Sequence, residues 1–130
     1  MAGGFGTRMR YKTSITPKPM ILLHGKPIIE HIINNLKNNG FKNIIITTHY
    51  LEHKIRGYFK DGKNFGVKIK YIKEKKPLGT AGSLAKVICK KSIPILVTNG
   101  DVISNINYSE LLNYHKENKA DATMAVREIK

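Results

Sequence analysis

Acidic residues are scarce in this chain of 130, 9 against 23 lysines and arginines, and there is a single cysteine, Cys89. One cysteine cannot build an internal disulfide framework, and it fits a reduced thiol in a cytoplasmic protein. Long apolar runs are missing too. Met20–Leu23 is typical of the longest, about four residues, whereas a membrane helix needs about 18. The expectation is a chain with no membrane span and no secretory leader. No repeat, linker or low-complexity tract divides it, so residues 1–130 read as one domain, and 41% apolar content suffices for a core.

The formal net charge of +14 invites a nucleic-acid reading. The lysines, however, are scattered along the whole length, with neither aromatic interleaving nor a stripe on one helix. Lys, Ile and Asn are abundant together, as an AT-rich gene would produce. A solvated basic surface that favours an anionic small ligand is the better reading, with no nucleic-acid partner.

Hydrophobic periodicity sets the elements. Pro27 followed by Ile28, Ile29, Ile32, Ile33 and Leu36 has helical spacing and stops at Gly40. Asn43–Thr48 is a β-branched run that reads as a buried strand. Leu51, Ile55, Tyr58 and Phe59 form a second helical stripe, closed by Asp61-Gly62. Val67–Ile72 alternates as a strand, 80–88 reads as a helix after a loop, and Ile93–Thr98 reads as an apolar strand running into Asn99-Gly100-Asp101. Ser109 caps a helix to about Lys119, or stands in its first turn, and Ala122–Val126 resumes a strand. Strands alternating with helices predict an α/β domain with a mostly parallel sheet, Rossmann-like and three-layered. Ligands in such sheets bind beyond the carboxyl ends of strands, which is where Asp101 is expected.

Several stretches carry chemistry. "MAGGFGTRMR" puts three glycines in six residues and then Thr7 and Arg8. Bare backbone followed by a guanidinium suits phosphate oxygens, although a plain glycine turn has the same composition. It is not a Walker loop, since no Gly-Lys-Ser/Thr follows. Nor does it match a dinucleotide fingerprint, since Met9 stands at the third small position. "TPKPM" holds Lys18 between two prolines, which stiffens the backbone behind a point charge. "EKKPLGTAGSL" is a second glycine loop, with Gly79 and Gly82 for close approach and Glu74 able to accept two hydrogen bonds from a base edge. "TNGDV" offers Asp101, a lone carboxylate of the kind Mg²⁺ uses together with substrate phosphates, or simply a turn aspartate. "HYLEH" matches the inverted zinc-peptidase pattern through His49, Glu52 and His53. That chemistry needs both histidines on one continuous helix, and His49 directly follows the β-branched run.

In this order and spacing, Gly-Gly-x-Gly-Thr-Arg-Met, Pro-Lys-Pro-Met, Gly-Lys-Pro-Ile, Pro-Leu-Gly-Thr-Ala-Gly and Gly-Asp resemble the sugar-1-phosphate nucleotidyltransferases, most of all the mannose-1-phosphate guanylyltransferase-like members. Molybdenum-cofactor nucleotidyltransferases share only the Ala-Gly-Gly opening. The resemblance covers essentially the whole chain but only the first half or so of a family domain. It implies a strand ahead of the glycine loop and a later half carrying a second metal-binding aspartate and most of the sugar pocket. A partial domain is therefore expected, one whose activity alone is in doubt.

The resemblance implies roles as well. Ala2, Gly3 and Gly4 would lie against the nucleoside, and Gly6 and Thr7 would turn the loop around the triphosphate. Arg8 would neutralise the β- and γ-phosphates, Lys18 would meet the phosphates at the reacting centre, and Asp101 would hold Mg²⁺. Glu74, Pro77 and Gly79 occupy the base-reading region. The implied reaction moves a nucleoside monophosphate from an NTP to a sugar 1-phosphate and releases pyrophosphate. A carboxylate at Glu74 pairs with N1–H and N2–H₂ of guanine, so GTP is favoured over the thymidylyl and uridylyl alternatives. A glutamate that merely balances Lys73, Lys75 and Lys76 is the plain alternative. The rival from another class is a non-catalytic nucleotide-sugar-binding or regulatory module. Homo-oligomerisation is left open.

Overall fold

The computed structural model describes residues 16–49, 51–74, 82–87, 93–126 and 128. The glycine-loop residues Ala2, Gly3, Gly4, Gly6, Thr7 and Arg8 lie outside that set, as do Pro77, Gly79 and Cys89.

Pro17 and Pro19 are both buried and bracket Lys18 in a 3₁₀ turn over Lys18–Met20, closed by Met20 N–H to the Pro17 carbonyl at 2.7 Å. The chain then makes a two-rung antiparallel ribbon, β1 (Leu22–Leu23) and β2 (Lys26–Pro27). His24 and Gly25 at its tip both have positive φ, the geometry that two-residue hairpins favour. Pro27 fixes the entry to α1 (Ile28–Asn38), whose buried face is Ile29, Ile32, Ile33 and Leu36, the stripe read from the sequence. Gly40 follows at φ +87°, beyond the reach of most side chains.

β3 (Asn43–Thr48), α2 (Glu52–Phe59) and β4 (Lys68–Lys73) form a β–α–β unit, with the two strands parallel and paired over six residues from Asn43–Lys68 to Thr48–Lys73. Ile29, Ile33, Ile46, Ile55, Phe59, Val67 and Ile69 pack into its core. Gly62 at the turn out of α2 has φ +85°, and a Cβ there would fall 2.7 Å from Ile69 Cγ1 and 2.8 Å from the Val67 carbonyl oxygen. Only glycine fits. A second cluster joins Ile32 and Leu36 of α1 to Tyr108, the first residue of α3 (Tyr108–Glu117). Asn107, not Ser109, caps α3, accepting from the Ser109 and Glu110 N–H groups. Ser109 stands in the first turn, and its hydroxyl donates to the Asn39 carbonyl at 2.9 Å.

Two expected strands do not form. Ile93–Thr98 and Ala122–Val126 have no regular secondary structure. Among the described residues β3 pairs only with β4, so its other edge offers no ladder to the 93–98 segment. A groove of about 230 Å³ separates them, lined by β3 residues and residues 94–100 above Ile29, Ile33 and Leu36. Met124 and Val126 are more than four-fifths exposed, so that segment lacks a surface to pack on. In the 80–88 region, the described residues contain a 3₁₀ turn at Ser83–Lys86, and residues 80, 81 and 88 lie outside the described set.

Candidate active site

Lys18 and Asp101, far apart in sequence, meet in the fold: Lys18 Nζ lies 2.8 Å from Asp101 Oδ2. Each side is fixed for a local reason. The lysine rises from the proline-flanked turn, where two buried rings restrain the backbone behind it. The aspartate stands in the turn that follows buried Gly100. Its segment is tied to α1 by Asn35 Nδ2 donating to the Ser104 carbonyl at 3.3 Å and by Tyr108 packed on Ile32 and Leu36. The two side chains are 39% and 30% exposed, so the pair is open to a solute.

Glu74 is held by a different element, immediately past the carboxyl end of β4. Its N–H donates to the Thr48 carbonyl at 2.7 Å, and its own carbonyl lies 2.8 Å from His49 Nδ1. Glu74 is only 7% exposed, so it is not a solvent-exposed glutamate. His49 therefore braces Glu74 from the end of β3. It is not on the helix that carries His53, because Leu51 at φ +52° breaks the chain before α2 begins at Glu52. The H-x-x-E-H pattern lacks the continuous helix that zinc ligation by both histidines requires.

Sequence reasoning missed the hydroxyls of Thr47 and Thr48, buried at the carboxyl end of β3 and without a hydrogen-bond partner among the described residues. They read only as strand formers. It also missed the buried Glu30, which accepts from Tyr58 at 2.7 Å and pairs with Lys26 at 3.2 Å. The Lys26–Glu30 half of that arrangement had an i,i+4 signal; the Tyr58 half had none. Burial alone would raise the Glu30 carboxyl, but the Tyr58 hydrogen bond and the Lys26 ammonium outweigh it and hold the pKa below the ordinary value.

For a divalent cation, Asp101 is a single, accessible carboxylate. Among the described residues no three His, Cys, Asp or Glu side chains cluster. Such a donor set cannot cage a metal by itself, but it fits Mg²⁺ completed by phosphate oxygens.

A family model described as nucleotidyl transferase matches residues 1–130. The chain belongs to the nucleotidyl transferase family. It is 37% identical over 125 residues to the mannose-1-phosphate guanylyltransferase of Mycobacterium tuberculosis, covering 95% of this chain and 35% of that protein. It thus spans about a third of that relative. Among solved structures, it superposes with TM-score 0.80 on a Bacillus anthracis protein described as a glucose-1-phosphate thymidylyltransferase, at 25% identity over 91% of this chain and 49% of the other. HddC from Yersinia pseudotuberculosis in complex with GMP-PN matches with TM-score 0.74 at 29% identity, over 88% of this chain and 51% of its own. The nucleotidyl transferase fold is Rossmann-like, as expected, and its parallel sheet is small and incomplete among the described residues. No described helix is long and apolar enough to cross a membrane.

Proposed function

We propose that this chain supplies the nucleotide- and Mg²⁺-binding part of a cytoplasmic enzyme that transfers GMP from GTP to a sugar 1-phosphate. The observation that carries the reading is the meeting of Lys18 and Asp101 at 2.8 Å, a cation and a carboxylate from separate segments, both partly exposed. A sugar-phosphate oxygen is already a nucleophile at neutral pH, so no strong base is required. It attacks the α-phosphorus, the bond from that phosphorus to the bridging oxygen breaks, and the electron pair leaves with pyrophosphate. The difficulty is to bring two polyanions together in line. Lys18 on its stiffened turn, and Arg8 with the Gly3, Gly4, Gly6 and Thr7 backbone, would offset that repulsion and fix orientation. Asp101 would hold Mg²⁺, which supplies further neutralisation of phosphate charge when bound.

The base preference rests on Glu74. Its low exposure and the hydrogen bonds at its own N–H and carbonyl support a fixed backbone behind a carboxylate able to take N1–H and N2–H₂ of guanine, with Pro77 and Gly79 proposed to share the base-binding role. The guanylyltransferase name of the mycobacterial relative supports the same choice. The test compares GTP, dTTP and UTP, each with a panel of sugar 1-phosphates, in the full-length gene product and its Glu74→Gln variant. Loss of a buried paired contact should cost GTP binding about 2–3 kcal/mol while the pyrimidine nucleotides gain or hold. Unchanged base preference would remove Glu74 from the role. Nucleotide binding without pyrophosphate release would make the protein a binding module instead.

A further inference from the structure

The Lys18–Asp101 contact has a second consequence, which rests on the roles just proposed for the two residues. We infer that this ion pair makes metal capture conditional on nucleotide: Lys18 occupies the Asp101 carboxylate until phosphates draw the ammonium away.

Three observations carry it. The ammonium lies against Asp101 Oδ2 at 2.8 Å, so a cation approaching that oxygen meets a positive charge at contact distance. Buried Pro17 and Pro19 and the 3₁₀ hydrogen bonds from Met20 and Ile21 fix the turn the lysine rises from, which keeps the base of its side chain within reach of Asp101. The surrounding field acts in the same direction, since the chain carries a formal +14 and repels free divalent ions. A nucleoside triphosphate reverses the balance. Its phosphates offer Lys18 a stronger anionic partner and bring oxygens that complete the coordination Asp101 alone cannot provide. One ion pair is exchanged for two interactions, ammonium with phosphate and carboxylate with metal.

The resulting signature is a single substitution with opposite effects on two affinities. Mn²⁺ binding is measured by electron paramagnetic resonance, first with Mn²⁺ alone and then with whichever of GTP, dTTP or UTP the wild type binds. Lys18→Met should tighten Mn²⁺ alone about tenfold, an attenuated Coulomb effect for a half-exposed pair, and should weaken the metal–nucleotide complex by about the same factor. Lys18→Arg keeps the charge and should leave Mn²⁺ alone at its wild-type affinity, which separates charge from packing. Circular dichroism confirms that each variant is folded. If Lys18→Met leaves Mn²⁺ alone unchanged while Asp101→Asn still weakens metal–nucleotide binding, the conditional capture is wrong and the site assignment stands. If Asp101→Asn leaves metal–nucleotide binding untouched, the site assignment itself is wrong.

Discussion

"NIIITT" at 43–48 and "IPILVT" at 93–98 are both rich in β-branched and apolar residues, yet only the first is a strand. Ile46 is 4% exposed and lies in a six-pair parallel ladder, whereas Ile95 is 51% exposed and has none. Pro94 removes one ladder donor from the second, and the neighbour differs as well. β-propensity describes fitness for a pleated, half-buried surface, and without an adjacent strand that surface is absent. The β3–α2–β4 unit brings its own partner strand and a helix to cover it. Residues 93–126 depend on α1 instead, through Tyr108, Asn39–Ser109 and Asn35–Ser104. Asp101 is thus carried by the less tightly packed region, while Glu74 is anchored in the tighter one.

Truncations in the two regions should show the contrast most strongly. Phe59 is 1% exposed at the centre of the first core, touching Tyr58 and Phe65 edge-on or tilted. Phe59→Ala should cost about 3–5 kcal/mol in urea unfolding through lost burial and the cavity left behind. Ile95→Ala should stay within about 0.5 kcal/mol, as surface changes do. Equal costs would mean that residues 93–98 belong to the same cooperative core.

A sharper probe is the turn that feeds β4. Gly62→Ala would place a methyl 2.7–2.8 Å from the Ile69 side chain and the Val67 carbonyl, at a backbone angle alanine resists. The expected loss is about 1–3 kcal/mol, seen as a lower urea midpoint with an unchanged slope. A neutral result would show that the turn relaxes without disturbing the β3–β4 register.

How much of this was legible depended on range. α1, β3, α2 and β4 followed from apolar spacing and from Gly40 and Gly62, because each signal lies within the element itself or at its edge. The 93–98 and 122–126 segments failed because pairing is a property of two segments, and local pattern reports only one. The site divided the same way. Lys18 and Asp101 were singled out by type and motif, but their contact could not be foreseen, since no spacing rule links a proline-flanked turn to a distant Gly-Asp. Glu74 was chosen for its carboxylate, and its burial came only with the packing of β3 beside β4. The H-x-x-E-H match was set aside from sequence because His49 directly follows the β-branched run, and Leu51 at φ +52° does separate that run from the helix beginning at Glu52.

A smaller loss than at Phe59 or Gly62 is expected around Glu30, which ties α1 to α2 within the tighter region. Tyr58 donates to its carboxylate at 2.7 Å and Lys26 stands at 3.2 Å. Burial opposes the charged form, yet these partners prevail and the folded carboxyl titrates below its unfolded value. The unfolded chain therefore takes up the proton first as pH falls. The stabilisation is complete above the unfolded glutamate pKa and disappears as pH drops through the folded one. Tyr58 is the mirror case. Its hydrogen bond to Glu30 raises its pKa, so its contribution is complete below the ordinary tyrosine range and is lost as pH climbs through the folded value. Tyr58→Phe should cost about 0.5–1.5 kcal/mol at neutral pH. It should also flatten the decline of unfolding free energy between neutrality and acid, because Glu30 loses a partner that favours its charged form. Urea titrations across that range supply both readings. An acid slope identical to wild type would show that Lys26 alone holds the carboxylate, and that the link from α1 to α2 is packing without a charge-dependent part.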